Sequence, residues 1–203
     1  MPRDRITHRS QRFVSPDGKQ GYLAIHRCGS SSIAQWLQYD SGMNWQRGGN
    51  FRDCERIFVV VRNPVDRWVS AAALFEKWSE TGDREARTRK RPEDEMAKRP
   101  GVLWTNDDDA HFAAQADFIA PYVGRGLPLE FVRLQDVDAY FVSRGWTPPP
   151  NINESDESVK ARLAALAEQD DGRLRKQIRS QYADDVALVQ GAWTPPARSE
   201  RGR

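Results

Sequence analysis

The sequence predicts an α/β fold with a central, mostly parallel β-sheet flanked by helices, and three observations support this prediction. Residues 22–25 are an apolar run, followed by a loop of small residues and then by apolar residues at helical spacing. Residues 57–61 are apolar and mostly β-branched, which is typical of a strand buried on both faces of a parallel sheet. Residues 65–78 carry an apolar stripe of helical period, so a helix follows the second strand.

Length and charge limit the classes of function. The 203 residues are enough for a single domain, which we place over residues 1–203. The net charge of +2 argues against a general nucleic-acid binder. The chain has no run of about 18 apolar residues, so we expect no membrane span. The N-terminal residues lack the apolar core of a signal peptide, and two cysteines do not make a disulfide framework, so we expect a cytoplasmic protein.

The loop after the first predicted strand has the composition of an anion-binding cradle. Its members are His26, Arg27, Cys28, Gly29, Ser30, Ser31 and Ser32. Small residues let backbone N–H groups approach an anion, serine hydroxyls add donors, and Arg27 adds a fixed charge. A serine-rich helix cap without a ligand explains this stretch equally well when it is considered alone. We expect Cys28 to fill space beside the loop, although a helix start can lower the pKa of a thiol.

The second candidate stretch begins where residues 57–61 end. Arg62 comes directly after the apolar run, Asn63 is a good helix cap, and Pro64 suits the first helical position. Ser70 lies eight residues after Arg62, two turns into the predicted helix. This spacing places a cation at a strand end and a hydroxyl on the helix that follows it.

Together, the two stretches resemble the nucleotide-binding motifs of sulfotransferases that use 3′-phosphoadenylyl sulfate (PAPS). The pattern R-x-P-x-x-R-x-x-S resembles the 3′-phosphate signature of that family, and Arg62, Pro64, Arg67 and Ser70 match it. Residues 26–31 resemble the family's 5′-phosphosulfate loop, H-K-x-x-[GC]-[ST]-[ST], with Arg27 where lysine is usual.

Weaker matches follow in the same order along the chain. Residues 111–115 resemble an H-x-x-P-Q element of the carbohydrate-type branch, with Ala114 in place of proline. Residues 131–137 resemble the late strand and turn, residues 151–155 resemble an H-x-N-x-S element, and residues 182–188 resemble the closing helix. The resemblance therefore covers about residues 20–190.

The resemblance implies a P-loop-like three-layer fold and a transfer of the sulfuryl group from PAPS to a hydroxyl or amine. The implied product is adenosine 3′,5′-bisphosphate, the expected acceptor is a carbohydrate or glycan, and no metal is required. Arg62 and Ser70 would hold the 3′-phosphate, while residues 26–32 would hold the phosphosulfate. The resemblance implies Arg27 and His111 as catalytic candidates. The base that takes the acceptor's proton would be His111 or an acid from residues 38–56. Because arginine keeps its proton, Arg27 would help by charge alone.

The remaining segments add little chemistry. Residues 79–110 are rich in both charges, so we predict an extended solvated excursion or a lid. The alternative is that residues 84–91 bind an anionic acceptor such as an acidic glycan. We predict a strand at 129–134 and a flexible tail at 193–203. Further helices are predicted at 111–122, 137–145, 158–168 and 174–188.

Two other functions stay open at this point. A P-loop kinase-like phosphotransferase would need a lysine in the loop and an acid for Mg²⁺ at a strand end, and the chain has Arg27 and Arg62 there. A non-catalytic module that binds PAPS or a glycan would explain both the unusual arginine and the unassigned base. Magnesium-dependent ATP binding would favour the first alternative, and binding without turnover the second.

Overall fold

The structure is a computed structural model that describes residues 11–40, 42, 44–81, 111–151 and 156–194. Its mixed α/β architecture confirms the fold class at that level. The five strands are β1 (Gln11–Val14), β2 (Gln20–Ala24), β3 (Gln46–Arg47), β4 (Arg56–Val61) and β5 (Leu129–Arg133). They form one sheet in the order β3-β1-β2-β4-β5.

The sheet is parallel where it carries the two candidate motifs. β4 pairs in parallel with β2 on one side, with Tyr22 opposite Phe58, and with β5 on the other, with Phe131 opposite Val59. β1 is antiparallel to both β2 and β3, so the sheet is mixed, with β1 running opposite to the other four strands. Since β2 and β4 are parallel neighbours, the loop after β2 and Arg62 after β4 lie at the same end of the sheet, beyond the carboxyl ends of the two strands.

Six helices complete the described part of the chain. They are α1 (Ser30–Gln35), α2 (Pro64–Thr81), α3 (Gln115–Val123), α4 (Val137–Ser143), α5 (Glu157–Gln181) and α6 (Ala183–Val189). A π-helical turn, Trp36–Asp40, extends α1, and a 3₁₀ turn, Leu134–Asp136, joins β5 to α4. None of the helices in this part of the chain is long and apolar enough to cross a membrane.

The start of α2 follows the sequence signals closely. The Asn63 side-chain oxygen accepts a hydrogen bond from the Val65 N–H at 2.9 Å, which caps the helix, and Pro64 takes the first helical position. The part of the predicted stripe from Val65 to Phe75 is buried, with Trp68 and Phe75 at most 2% exposed. This face packs against α5, and the fixed helix start determines how Ser70 is aimed.

The hydrophobic core consists of two clusters. The larger surrounds the sheet, where the Tyr22 and Phe58 rings stack with centroids 4.7 Å apart and Trp36 meets Phe141 edge to face. The smaller joins α2 to α5 and to Phe112. Ile33 and Val137 of the larger cluster also line a cavity at the end of the sheet.

Several predicted boundaries were wrong. The helix predicted from residue 111 begins at Gln115, because Ala114 has an extended backbone with ψ 140°. The helix predicted over 174–188 is divided at Tyr182, and the one over 137–145 ends at Ser143. Residues 169–172 are non-helical and separate two helical parts of α5, which confirms the gap predicted between residues 168 and 174. Predictions for residues 82–110, 152–155 and 195–203 lie outside the described residues.

Candidate anion-binding site

A cavity of about 300 Å³ lies at the edge where β2 and β4 end. Residues from both candidate motifs line it. From the loop these are Arg27, Gly29 and the serines at positions 30–32, and from the second motif Arg62 and Ser70. Stretches that are far apart in sequence thus contribute to one concave surface that carries two cations and several hydroxyls.

Arg27 links the two motifs directly. Its Nε and Nη2 atoms both donate hydrogen bonds to the Ser70 Oγ, at 3.1 Å and 2.6 Å. Its backbone is left-handed, with φ 65°, which is uncommon for a residue that has a Cβ. Strained backbone of this kind persists only where the surroundings hold it in place, and it concentrates at functional sites.

Arg62 brings a second cation to the same place. Its Nη1 donates a hydrogen bond to the Arg27 carbonyl oxygen at 3.3 Å. Burial, followed by repulsion from Arg62, lowers the pKa of Arg27 to about 10, and burial likewise lowers the pKa of Arg62. Arg27 nevertheless stays charged at neutral pH. Two partly desolvated guanidinium groups on one cavity wall attract an anion more strongly than exposed arginines would.

Gly29 sets the shape of the loop. It occupies the cap position of α1 with φ 72°, and a Cβ there would lie 3.0 Å from the Leu134 Cδ1. The three serines after it form the first turn of α1, and the backbone N–H groups of a helix's first turn point beyond the helix end. The first ladder bond of the helix runs from the Ile33 N–H to the Gly29 carbonyl oxygen at 3.1 Å.

The opposite wall of the cavity was not predicted as part of a site. It includes the apolar Leu134 and Val137 as well as Asp138, Pro149, Pro150 and Asn151. Lys160 also lines the cavity, and its Nζ pairs with the Glu157 Oε1 at 2.5 Å. A lysine in the first turns of a charged amphipathic helix looks like a solvated surface residue in the sequence. Only the resemblances at residues 131–137 and 151–155 pointed to this side.

Neither His26, which belongs to the loop, nor His111 lines the main cavity. The His26 and His111 ring centroids are 4.8 Å apart, and His111 also meets the Phe75 ring edge to face. His26 lines a smaller cavity of about 80 Å³, whose wall includes Ser30 and Ser31. His111 lines neither cavity among the described residues, and its ring contacts that of His26, a member of the loop.

The acids at residues 38–56 also lie off both cavities. Asp40 ends the π-helical turn, and Glu55 pairs with the Lys19 Nζ at 2.8 Å. Asp53 is exposed in the turn before β4. None of the three lines either cavity in the described part of the chain.

Cys28 lies beneath the loop and faces away from the cavity. It is 0% exposed, and its Sγ donates to the Gln115 Oε1 at 3.2 Å. Burial raises the pKa of the Cys28 thiol to about 11, so the alternative of a thiol activated at a helix start is wrong. Arg67, from the second motif, supports the loop from the same side by donating from Nε to the His26 carbonyl oxygen at 3.1 Å.

Comparison with models of known protein families, with curated proteins and with solved structures finds no match to this chain.

Proposed function

We propose that this chain is a PAPS-dependent sulfotransferase that transfers the sulfuryl group to a hydroxyl or amine, with a glycan as the preferred class of acceptor. The observation that supports this most is the convergence of Arg27, Arg62 and Ser70 on one cavity. The resemblance assigns them to two motifs that bind different phosphate groups of one nucleotide, and Arg62 lies 35 positions after Arg27. A ligand with two separated anionic groups suits such a site.

The same proposal includes the P-loop-like character of the fold. Two observations support it. Strand β2 is followed by the loop and then by helix α1, and the neighbouring parallel strand β4 leads into helix α2. In α/β sheets of this kind, ligands bind beyond the carboxyl ends of the strands, which is where the cavity lies.

In the proposed reaction, an acceptor oxygen or nitrogen attacks the sulfur atom in line with the bond that breaks. The bond between sulfur and the bridging phosphate oxygen breaks, and its electron pair stays on the phosphate of adenosine 3′,5′-bisphosphate. Arg27, Ser31 and the loop N–H groups would stabilise the charge that grows on that oxygen. Arg62 and Ser70 would hold the 3′-phosphate and so orient the nucleotide. Here the arginines supply the charge neutralisation that Mg²⁺ supplies in phosphoryl transfer.

The acceptor's proton passes to a base, and His111 remains the candidate. Its ring contact with His26 connects it to the loop, beside the smaller cavity that shares Ser30 and Ser31 with the larger one. An acceptor that entered from this side would meet the nucleotide across the two serines. We assign the protein to the cytoplasm as part of the same proposal.

A transfer assay tests the proposal. The purified protein is incubated with PAPS, without magnesium, and with a panel of neutral and acidic oligosaccharides, while chromatography follows the adenosine 3′,5′-bisphosphate formed. We expect release that depends on the acceptor and is reduced in Ser70→Ala but unchanged in Arg125→Ala, a change at an exposed position after α3. Nucleotide binding without release on any acceptor would favour a non-catalytic module. Binding of ATP that requires magnesium would favour the kinase-like alternative.

A further inference from the structure

Four polar side chains are buried behind the loop, where none of them lines a cavity among the described residues. Cys28, Gln115 and Asp185 are 0% exposed, and Arg67 is 2% exposed. They come from the loop, α3, α6 and α2. Buried polar groups destabilise a fold unless they are hydrogen bonded, so their partners define what this cluster holds in place.

Gln115 bonds to the backbone of Arg62 in both directions. Its Oε1 accepts from the Arg62 N–H at 2.8 Å, and its Nε2 donates to the Arg62 carbonyl oxygen at 2.8 Å. A side-chain amide thereby pairs with the peptide groups just beyond β4, much as another strand would. The same Oε1 accepts from the Cys28 Sγ, so one amide contacts the loop and the strand end together.

Asp185 fixes the orientation of Gln115. Its two carboxylate oxygens accept from the backbone N–H groups of Gln115 and Ala116, each at 2.9 Å, and Oδ2 also accepts from the Gln115 Nε2 at 3.3 Å. A carboxylate on α6 therefore caps the start of α3, where Ala114 has no capping side chain. Because Asp185 accepts from the Nε2, the Oε1 is left facing Arg62 and Cys28.

We propose that Gln115, oriented by Asp185, is a positioning residue that sets the placement of Arg62 relative to the loop and thereby the affinity of the cavity for a ligand with two anionic groups. The identity of that ligand, adenosine 3′,5′-bisphosphate, rests on the proposed function. The role of Gln115 in placing Arg62 does not depend on the proposed function. Gln115 itself does not line the cavity, so it acts through the residues it holds.

A double-mutant cycle separates positioning from general stability. Gln115→Met keeps the side-chain length and removes both polar atoms. We expect it to weaken binding of adenosine 3′,5′-bisphosphate about tenfold, as is usual for residues that act through one another. In the Arg62→Ala background the same change should alter the affinity no more than about twofold, since the group it positions is gone. An equal loss in both backgrounds would overturn the inference.

Glu76→Gln is the matched control. Glu76 is a buried acid on α2 that pairs with Arg162 and does not line the cavity. We expect this variant to lose stability but to keep its affinity in the presence of Arg62. If it weakened binding as much as Gln115→Met does, the effect would be one of general stability and the inference would fail. Gln115→Asn, which is too short to reach Arg62, replaces Gln115→Met if that variant does not fold.

Hydrogen exchange of the Arg62 amide tests the placement without any ligand. We expect its protection to fall at least about tenfold in Gln115→Met, while the Val60 amide inside β4 keeps its protection. Unchanged protection of Arg62 would overturn the inference. If the wild-type protein bound no nucleotide, the proposed function would fail, and the loss of Arg62 protection would still support the positioning role.

Discussion

Replacing Arg27 by glutamine should stabilise the ligand-free protein while it weakens anion binding. Burial and the neighbouring Arg62 lower the pKa of Arg27 to about 10. Since arginine in water has a pKa of about 12.5, keeping Arg27 charged in the folded protein costs about 3 kcal/mol. Folding therefore works against this charge, and an anion in the cavity would relieve the cost.

The net effect follows from what glutamine keeps and what it loses. It removes the charge, but it can replace at most one of the two hydrogen bonds that Arg27 donates to Ser70, a loss of about 1 kcal/mol. The left-handed backbone, with φ 65°, is equally strained with either side chain. We expect the free energy of unfolding to rise by about 1–2 kcal/mol, which corresponds to an increase in Tm of roughly 4 °C.

Urea denaturation in a buffer without phosphate or sulfate measures this difference, because anions that bind the native state would mask it. Arg125→Gln is the control, since Arg125 is exposed, and it should change the free energy of unfolding by less than about 0.5 kcal/mol. If Arg27→Gln instead lowered the free energy of unfolding by 1 kcal/mol or more, Arg27 would be a structural residue and the reasoning would be refuted.

Three further predictions concern the loop and its neighbours. Gly29→Ala should lower the free energy of unfolding by about 1–2 kcal/mol in urea denaturation, because φ is 72° and the Leu134 methyl lies 3.0 Å from the new Cβ. An unchanged free energy of unfolding would mean that the loop relaxes around the new methyl group and would contradict this prediction. Ser70→Ala should weaken adenosine 3′,5′-bisphosphate binding about tenfold in calorimetry and leave AMP binding unchanged, whereas equal losses would contradict the assignment of Ser70. Burial raises the pKa of Cys28 from 9.0 to about 11, so the unfolded chain gives up the thiol proton first and stability falls as pH rises between these values. Cys28→Ala should reduce that fall in pH-dependent denaturation, and an identical profile would contradict it.

The parts of the fold that local signals determine were predictable. Asn63 and Pro64 define the start of α2, and the apolar run before Arg62 defines β4. The burial of β4 in a parallel part of the sheet followed from a strand pattern that lacks polar alternation, whereas its pairing with β2 was not predicted. These features depend on residues adjacent in sequence, so no knowledge of the tertiary structure was needed.

The features that were missed depend on distant partners. The start of α3 is fixed by Asp185, which lies 70 residues after Gln115, and no local cap marks it. Tyr182 ends α5 while its hydroxyl donates to the Phe112 carbonyl oxygen at 2.8 Å. Lys160 is indistinguishable in sequence from a solvated helix lysine. Its position on the cavity follows from the tertiary structure, which brings the start of α5 next to the same cavity as the loop.

Titration calorimetry without magnesium tests the central claim most directly. Wild-type protein and Arg62→Ala are each titrated with adenosine 3′,5′-bisphosphate and with AMP, with Arg125→Ala as the control. We predict that the wild-type protein and the control bind the bisphosphate at least about tenfold more tightly than AMP, and that Arg62→Ala loses this preference. Equal binding of the two nucleotides by the wild-type protein, or a preference that survives in Arg62→Ala, would contradict the account.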